Sequence, residues 1–220
     1  MSAGIAHELR NPLNAVKTSV YFLLNAVNPS AEKTREHLER IDRQVGISDG
    51  VITALSRFAK LPVPNMKPIQ LCDLVEQTLE ANPVPDNVEL ITDPPKDAPL
   101  VAGDHEQLQI VLGNLIRNAC EAMPDGGRLT LRGRMVPQDG DAPDQFALTV
   151  SDTGCGMIPD ILTRIMEPLF STKTRGLGLG LALAQAITQR HDGELTVTSE
   201  LGEGTTFTLV LNLADGLEEP

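Results

Sequence analysis

The residues most able to do chemistry begin at His7, which is followed directly by Glu8 and then, within one or two helical turns, by Asn11 and Pro12. On a helix, His7 lies two residues, or about 200 degrees, from Leu9 and shares a stripe with Asn11, Asn14 and Thr18, so its ring points outward. Glu8 can orient the imidazole through one nitrogen and leave the other with a lone pair for attack. Pro12 removes the helical bond to the Glu8 carbonyl, which predicts a distorted helix beside the histidine. Taken alone, a surface histidine on a helix is more often a solvated side chain, and these residues by themselves favour that reading. His37, His105 and His191 lack the setting and read as ordinary polar positions.

Further along, Asp152-Thr153-Gly154-Cys155-Gly156-Met157 follows a run of apolar and β-branched residues. Its glycines let the backbone approach a ligand closely, and a carboxylate at the strand end could accept a hydrogen bond from an adenine amino group. An ordinary strand-to-loop turn would use the same residues. Gly176-Leu177-Gly178-Leu179-Gly180-Leu181 opens a helix, whose unpaired N–H groups and dipole favour phosphate. Lys173 and Arg175 just before it are local cations, as a polyanionic nucleotide requires. Asn114 and Asn118, four apart within an otherwise apolar run, project from one helix face. A neutral amide oxygen together with phosphate oxygens suits Mg2+, which prefers hard ligands and keeps several waters.

The elements that must position these groups follow from periodicity. Leu9, Leu13, Val16, Val20, Leu23 and Val27 step by alternating fours and threes, as do Leu38, Ile41, Val45, Ser48, Ile52, Leu55 and Ala59. Asn28 reads as the cap of the second helix, with Pro29 at its first position. The two helices predict an antiparallel hairpin too thin to bury both seams, so a second copy is expected to complete a four-helix bundle. The proline cluster from Leu61 to Pro68 ends the second helix and marks the domain boundary. Beyond it the pattern predicts strands at Ile69–Leu71, Val88–Thr92, Arg128–Val136, Gln145–Ser151, Glu194–Ser199 and Thr205–Leu213. Helices are expected at Asp73–Ala81, at His105–Met123 capped by Asp104, and at Leu177–His191, with Gly154–Gly176 irregular. The interleaving predicts a helical layer on a mixed sheet.

Composition narrows the class. With 41% apolar and 22% charged residues the chain of 220 is an ordinary globular sequence. The net charge is -12, and residues 1–60 hold eight Lys/Arg against six Asp/Glu, so the acidic excess lies entirely beyond them. An acidic second domain with 3% aromatic residues argues against nucleic acid as a partner. No apolar run approaches a membrane span, so no membrane contact is expected of this segment. Cys72, Cys120 and Cys155 are widely spaced without a CxxC pair, which predicts free thiols in a reducing cytoplasm and no metal bound through them.

Taken in order, the segments resemble the catalytic core of a bacterial sensor histidine kinase. His7-Glu8-Leu9-Arg10-Asn11-Pro12-Leu13 is similar to that family's H box and Asn114-Leu115-Ile116-Arg117-Asn118-Ala119 to its N box. Asp152 to Gly156 resembles the first glycine box, Glu167-Pro168-Leu169-Phe170 the F box, and Gly176 to Gly180 the second glycine box. The resemblance runs from about residue 4 to residue 213. It implies an α+β chain: a phosphotransfer and dimerisation hairpin over 1–60 that forms a dimeric four-helix bundle, a linker over 61–68, a gyrase-type ATP-binding α/β sandwich over 69–215, and a tail over 216–220. Only six residues precede His7, where the family has a longer helix, so a fragment of a longer protein is expected, one whose remaining part could carry a membrane anchor. Leu169 stands where many relatives have a second aromatic. The short lid resembles the subgroup acting on nitrogen- or stress-type regulators.

By position, the resemblance implies His7 as phosphoacceptor, Glu8 as its base or polariser, and Asn11 as the group that orients a water for hydrolysis of a partner's aspartyl phosphate. It implies Asn118 as the Mg2+ ligand with Asn114 beside it, Asp152 on adenine, Gly154 and Gly156 shaping that pocket, and Thr205 near the base. Lys173 would meet the phosphates, with Gly176, Gly178 and Gly180 closing over them. The expected function is ATP-dependent autophosphorylation of a homodimer and transfer to an aspartate of a response-regulator receiver domain, with 61–68 acting as the hinge. The alternative reading is a nucleotide-binding dimeric scaffold without kinase activity. A gyrase-type ATPase or serine kinase would have no use for the His-Glu-x-x-Asn-Pro helix.

Overall fold

The computed structural model describes residues 2–59, 61–93, 98–136, 144–173 and 178–214, and among these not the side chains of 2–9, 51, 53–55 and 57–59. The chain divides into two compact units, Met1–Leu61 with Pro168–Leu179, and Pro62–Glu167 with Gly180–Pro220.

In the first unit, α1 (Ser2–Asn25) and α2 (Ala31–Ala59) pack along each other as the expected hairpin, and α1 continues through Pro12. The start of α2 differs from expectation. Asn28 has φ 48°, a left-handed turn conformation, and the cap is Ser30, whose Oγ accepts from the Lys33 N–H at 3.2 Å. Each seam is only half covered. Val16, Leu23, Ile41 and Ser48 are half-buried, whereas Leu13 and Val20 on α1, Val27 just past its end, and Leu38, Val45 and Ile52 on α2 are exposed, at seven-residue spacing along each segment. Positions facing the sister helix alternate with positions facing outward, so a continuous apolar stripe is left uncovered in the single hairpin. His37 is not an ordinary solvated side chain: its ring stacks on Phe22 with centroids 4.0 Å apart.

The second unit holds β1 (Lys67–Ile69), α3 (Leu71–Ala81), β2 (Val88–Asp93), β3 (Val101–Gly103), α4 (His105–Glu121), β4 (Gly127–Val136) and β5 (Gln145–Asp152), then α5 (Pro159–Leu162), α6 (Gly180–Arg190), β6 (Glu194–Glu200) and β7 (Gly204–Asn212). Its main sheet has the order β2-β4-β5-β7-β6, with β2 and β4 parallel and the other pairs antiparallel. Strand alternation puts Leu129, Leu131, Phe146, Leu148, Val150, Phe207, Leu209 and Leu211 in the core. Against that face lies α4, flanked by α3 and α6, with Leu108, Val111, Leu112, Leu115 and Ile116 buried at helical spacing. This is the α/β layer arrangement anticipated.

Several boundaries shift. The first strand is Lys67–Ile69 rather than 69–71, because Leu71 begins α3 and buries the stripe Leu71, Leu74, Val75 and Thr78. It pairs with β3, a three-residue strand that the sequence pattern did not single out, in a separate two-stranded sheet. The last helix starts at Gly180 instead of 177, since Gly178 has φ 61° and cannot belong to a right-handed helix. His191, expected on the surface, is 1% exposed. Its Nδ1 lies 2.8 Å from the Ile187 carbonyl and its Nε2 accepts the Asp104 N–H at 2.9 Å, so the ring is the Nδ1-protonated tautomer wedged between two helix ends.

Candidate functional site

The end of β5 delivers Asp152, which is 7% exposed although it is a carboxylate. Its Oδ1 accepts the Gly154 N–H at 2.9 Å, an Asx turn that fixes the carboxylate at the end of the strand. In the β5/β7 ladder Asp152 stands opposite Thr205, which is 6% exposed and has its hydroxyl 3.0 Å from that of Ser199. The glycines shape this corner. Gly156 has φ 62° and backs onto the Glu200 carbonyl, leaving no room for a Cβ. Gly204, which the sequence reading did not use, has φ 112° and faces the Asp152 carbonyl equally closely. Its signal was available in the run Gly202-Glu203-Gly204-Thr205, two glycines flanking an acidic residue in a hairpin turn.

One wall of the site is α4, held in register with the Asp152 corner by the Cys155 N–H, which donates to the Ala122 carbonyl at 3.1 Å. The Asp104 cap is as expected, its Oδ1 accepting from the Gln107 N–H at 3.1 Å. Asn114 and Asn118 share a face of α4, the first 6% exposed and the second half-buried. At the first turn of α6, a Cβ on Gly180 would stand 3.0 Å from the Asn114 Oδ1, so any larger residue there would crowd the amide. The same Oδ1 accepts from the Arg117 guanidinium. Arg117 was passed over in the sequence, though its i+3 spacing from Asn114 was the available signal. The structure thus brings Asn114, Asn118, Asp152, Gly154, Gly156, Gly180 and Thr205 into one unit, around α4.

The remaining expected residues lie elsewhere. His7, Glu8 and Asn11 are on α1 of the other unit, with Asn11 exposed one turn after His7. Lys173 belongs to Pro168–Leu179 of that unit and is exposed, with its backbone N–H donating to the Ser171 hydroxyl at 3.1 Å. Gly178 marks the end of that segment, whereas Arg175 and Gly176 fall outside the described residues.

All three cysteines are free. Burial pushes the Cys120 thiol above its ordinary value of 9.0, and the Asp152 carboxylate adds to the effect, since a second negative charge beside it is unfavourable. At pH 8 Cys120 is therefore protonated and unreactive, while Cys155 is exposed. Limited iodoacetamide treatment at pH 8 followed by peptide mass spectrometry is expected to find Cys155 alkylated well before Cys120, and the lag should shrink as the pH is raised toward 10.

Comparison with known proteins agrees with this geometry. The family described as histidine kinase-, DNA gyrase B- and HSP90-like ATPase matches residues 103–215, and the His Kinase A phospho-acceptor domain matches residues 1–62. Sporulation kinase C of Bacillus subtilis is 34% identical over 217 residues, covering 97% of this chain and 48% of the relative. The signal transduction histidine-protein kinase AtoS of Escherichia coli is 33% identical over 214 residues, covering 96% and 34%. The chain therefore spans about half or less of the length of these relatives. Among solved structures, full-length ShkA in complex with AMPPNP superposes with a TM-score of 0.65 at 26% identity, covering 96% of this chain and 46% of that one. The histidine kinase ThkA, solved in complex with the response regulator TrrA, shares the fold with a TM-score of 0.70 at 18% identity, covering 97% and 61%.

Proposed function

Because the chain belongs to the family of histidine kinase-, DNA gyrase B- and HSP90-like ATPases, and is the catalytic core of a bacterial sensor histidine kinase, we propose that it phosphorylates its own His7 from ATP. The observation that carries this reading is the buried Asp152 carboxylate, fixed by its turn to Gly154 at the end of β5 and standing opposite Thr205 in the ladder. In this reading the carboxylate accepts the adenine amino group, and Thr205 lies beside the base. The N–H groups of the first turn of α6 and the Arg117 guanidinium provide positive potential for the phosphates. The imidazole of His7 then attacks the γ-phosphorus, the bond to the ADP oxygen breaks, and Glu8 takes the ring proton as the N–P bond forms.

Mg2+ fits the residues present. Among the described residues no group of three or more His, Cys, Asp or Glu could hold a metal, so these residues offer no closed cage. The neutral amide of Asn118 suits an ion that takes most of its ligands from phosphate and water. When bound there, Mg2+ neutralises charge on the phosphate chain. From phosphorylated His7 the group passes to an aspartate of a response-regulator receiver domain, and Asn11, one turn along α1, orients a water that hydrolyses the partner's aspartyl phosphate, releasing inorganic phosphate.

The reading is tested by incubating the chain with Mg2+ and γ-labelled ATP and treating the product with acid and alkali. Label that is lost in acid and survives alkali is the expected result; ATP binding with no label would leave a nucleotide-binding scaffold. The active form is a homodimer in which the stripe of Leu13, Val20, Val27, Leu38, Val45 and Ile52 is covered by a second hairpin. Val45→Glu puts a charge into that seam, and is expected to shift the chain from dimer to monomer in sedimentation equilibrium at micromolar concentration. A variant that stays dimeric would move the interface elsewhere.

A further inference from the structure

The segment between the hairpin and the ATP-binding domain is tied to the domain along most of its length. The Pro62 carbonyl accepts two hydrogen bonds, one from Gln107 Nε2 at 3.2 Å and one from Arg190 Nη1 at 3.1 Å. Three residues later the Asn65 N–H donates to Asp104 Oδ2 at 2.8 Å, and from Lys67 the chain enters the β1/β3 ladder. Asp104 is the node of this clasp. One carboxylate oxygen caps α4, the other holds the connecting segment, and its own N–H is held by His191 just after α6.

The clasp therefore gathers three things at one place: the start of the connecting segment, the first turn of α4 and the last turn of α6. Both helices run from there to the nucleotide site. Along α4, Asn114 lies ten residues beyond Asp104, about 15 Å at 1.5 Å per residue. In α6 the chain runs the other way, from Gly180 against Asn114 to Arg190 at the clasp. Two packed helices are stiff over that distance. A fixed Pro62 carbonyl is thus a fixed point with respect to the atoms that hold the nucleotide.

We infer that Gln107 and Arg190, acting through the Pro62 carbonyl, are positioning residues for phosphoryl transfer to His7. They make the connecting segment part of the ATP-binding domain, so the swing that carries bound ATP to the histidine pivots on the hairpin side of Pro62 and not over the whole of 61–68. This rests on the kinase reading above. In-line transfer depends steeply on placement, and a misplacement on the order of 1 Å can cost about 100-fold in rate. A slack anchor dilutes the productive placements without touching the nucleotide pocket.

Arg190 is exposed, so Arg190→Met is not expected to perturb folding. It keeps the aliphatic stem and removes the donor, and Arg190→Met combined with Gln107→Leu removes both donors to Pro62. At saturating ATP the initial rate of His7 labelling is expected to fall about threefold in the single variant and about tenfold or more in the double variant. The dissociation constant for a non-hydrolysable ATP analogue should stay within twofold of wild type in both. Arg190→Lys, which retains a donor and a charge, should recover most of the rate. Unchanged labelling in the double variant, or an ATP affinity that falls in parallel with the rate, would overturn the proposal. A wild-type chain that binds the analogue but never labels His7 would overturn the kinase reading and this inference with it, so parallel wild-type measurements tell the two failures apart.

Discussion

A His7→Gln chain is expected to bind ATP as tightly as the wild type and to incorporate no γ-phosphate, a loss of more than about 10³-fold in labelling rate. Glutamine keeps a polar side chain of similar reach and helix propensity, but its amide nitrogen has no lone pair free for attack on phosphorus. Residue 7 belongs to the helical hairpin unit, whereas Asp152, Asn114 and Asn118 belong to the other, so nucleotide affinity has no reason to move. Calorimetric titration with a non-hydrolysable analogue, run beside the labelling assay, separates the two quantities. Residual acid-labile label on the variant would assign the phosphoacceptor to another residue. A parallel loss of analogue affinity would make His7 part of the nucleotide pocket, contrary to the division of labour proposed.

The second large effect concerns Asp152→Asn. The retained Oδ1 can still accept from Gly154 N–H, so the turn at the β5 end is preserved. What changes is the other atom, which turns from an acceptor into a donor. If the carboxylate meets the amino group of adenine as proposed, the variant replaces a charge-assisted hydrogen bond by two opposed donors. Hydrogen bonds to charged groups contribute about 1.5 to 3 kcal/mol, so ATP affinity is expected to fall by roughly 10- to 100-fold. The substitution has an internal check. The Asp152 carboxylate is one of the causes that raise the Cys120 thiol. Removing the charge lowers that thiol, so Cys120 should be alkylated faster at fixed pH in the variant, with its burial unchanged.

Much of this architecture was legible because it is periodic. Seven-residue spacing on both hairpin helices, alternation in β5 and β7, and the Asp104 cap of α4 are local patterns that the fold retains. Misreadings occurred where the pattern was too short or a single dihedral decided. The β3 strand has three residues and α5 has four, fewer than one full repeat of either period. A left-handed Asn28 moved the start of α2 by two residues, and a left-handed Gly178 delayed α6 by three, because the chain cannot be both left-handed and part of a helix.

By itself the sequence singled out the candidate residues, since the types and fixed order of His7, Asn118, Asp152 and the glycines carry the resemblance to the histidine kinase family. It also determined that the hairpin is too thin to close on itself, since each helix repeats its apolar residues along its whole length. Tertiary structure alone decided what the prolines after the hairpin do. Pro62 is held by Gln107 and Arg190, 45 and 128 residues away, and His191 finds the Asp104 N–H across 87. It also set Gly204 against the Asp152 carbonyl, and Gly180 against Asn114. Such contacts are made between single polar atoms or bare backbones brought together by the packing of α4, α6 and the sheet, and they leave no periodic trace in the chain. That is why the candidate residues were readable in the chain, while the frame that holds them had to be seen.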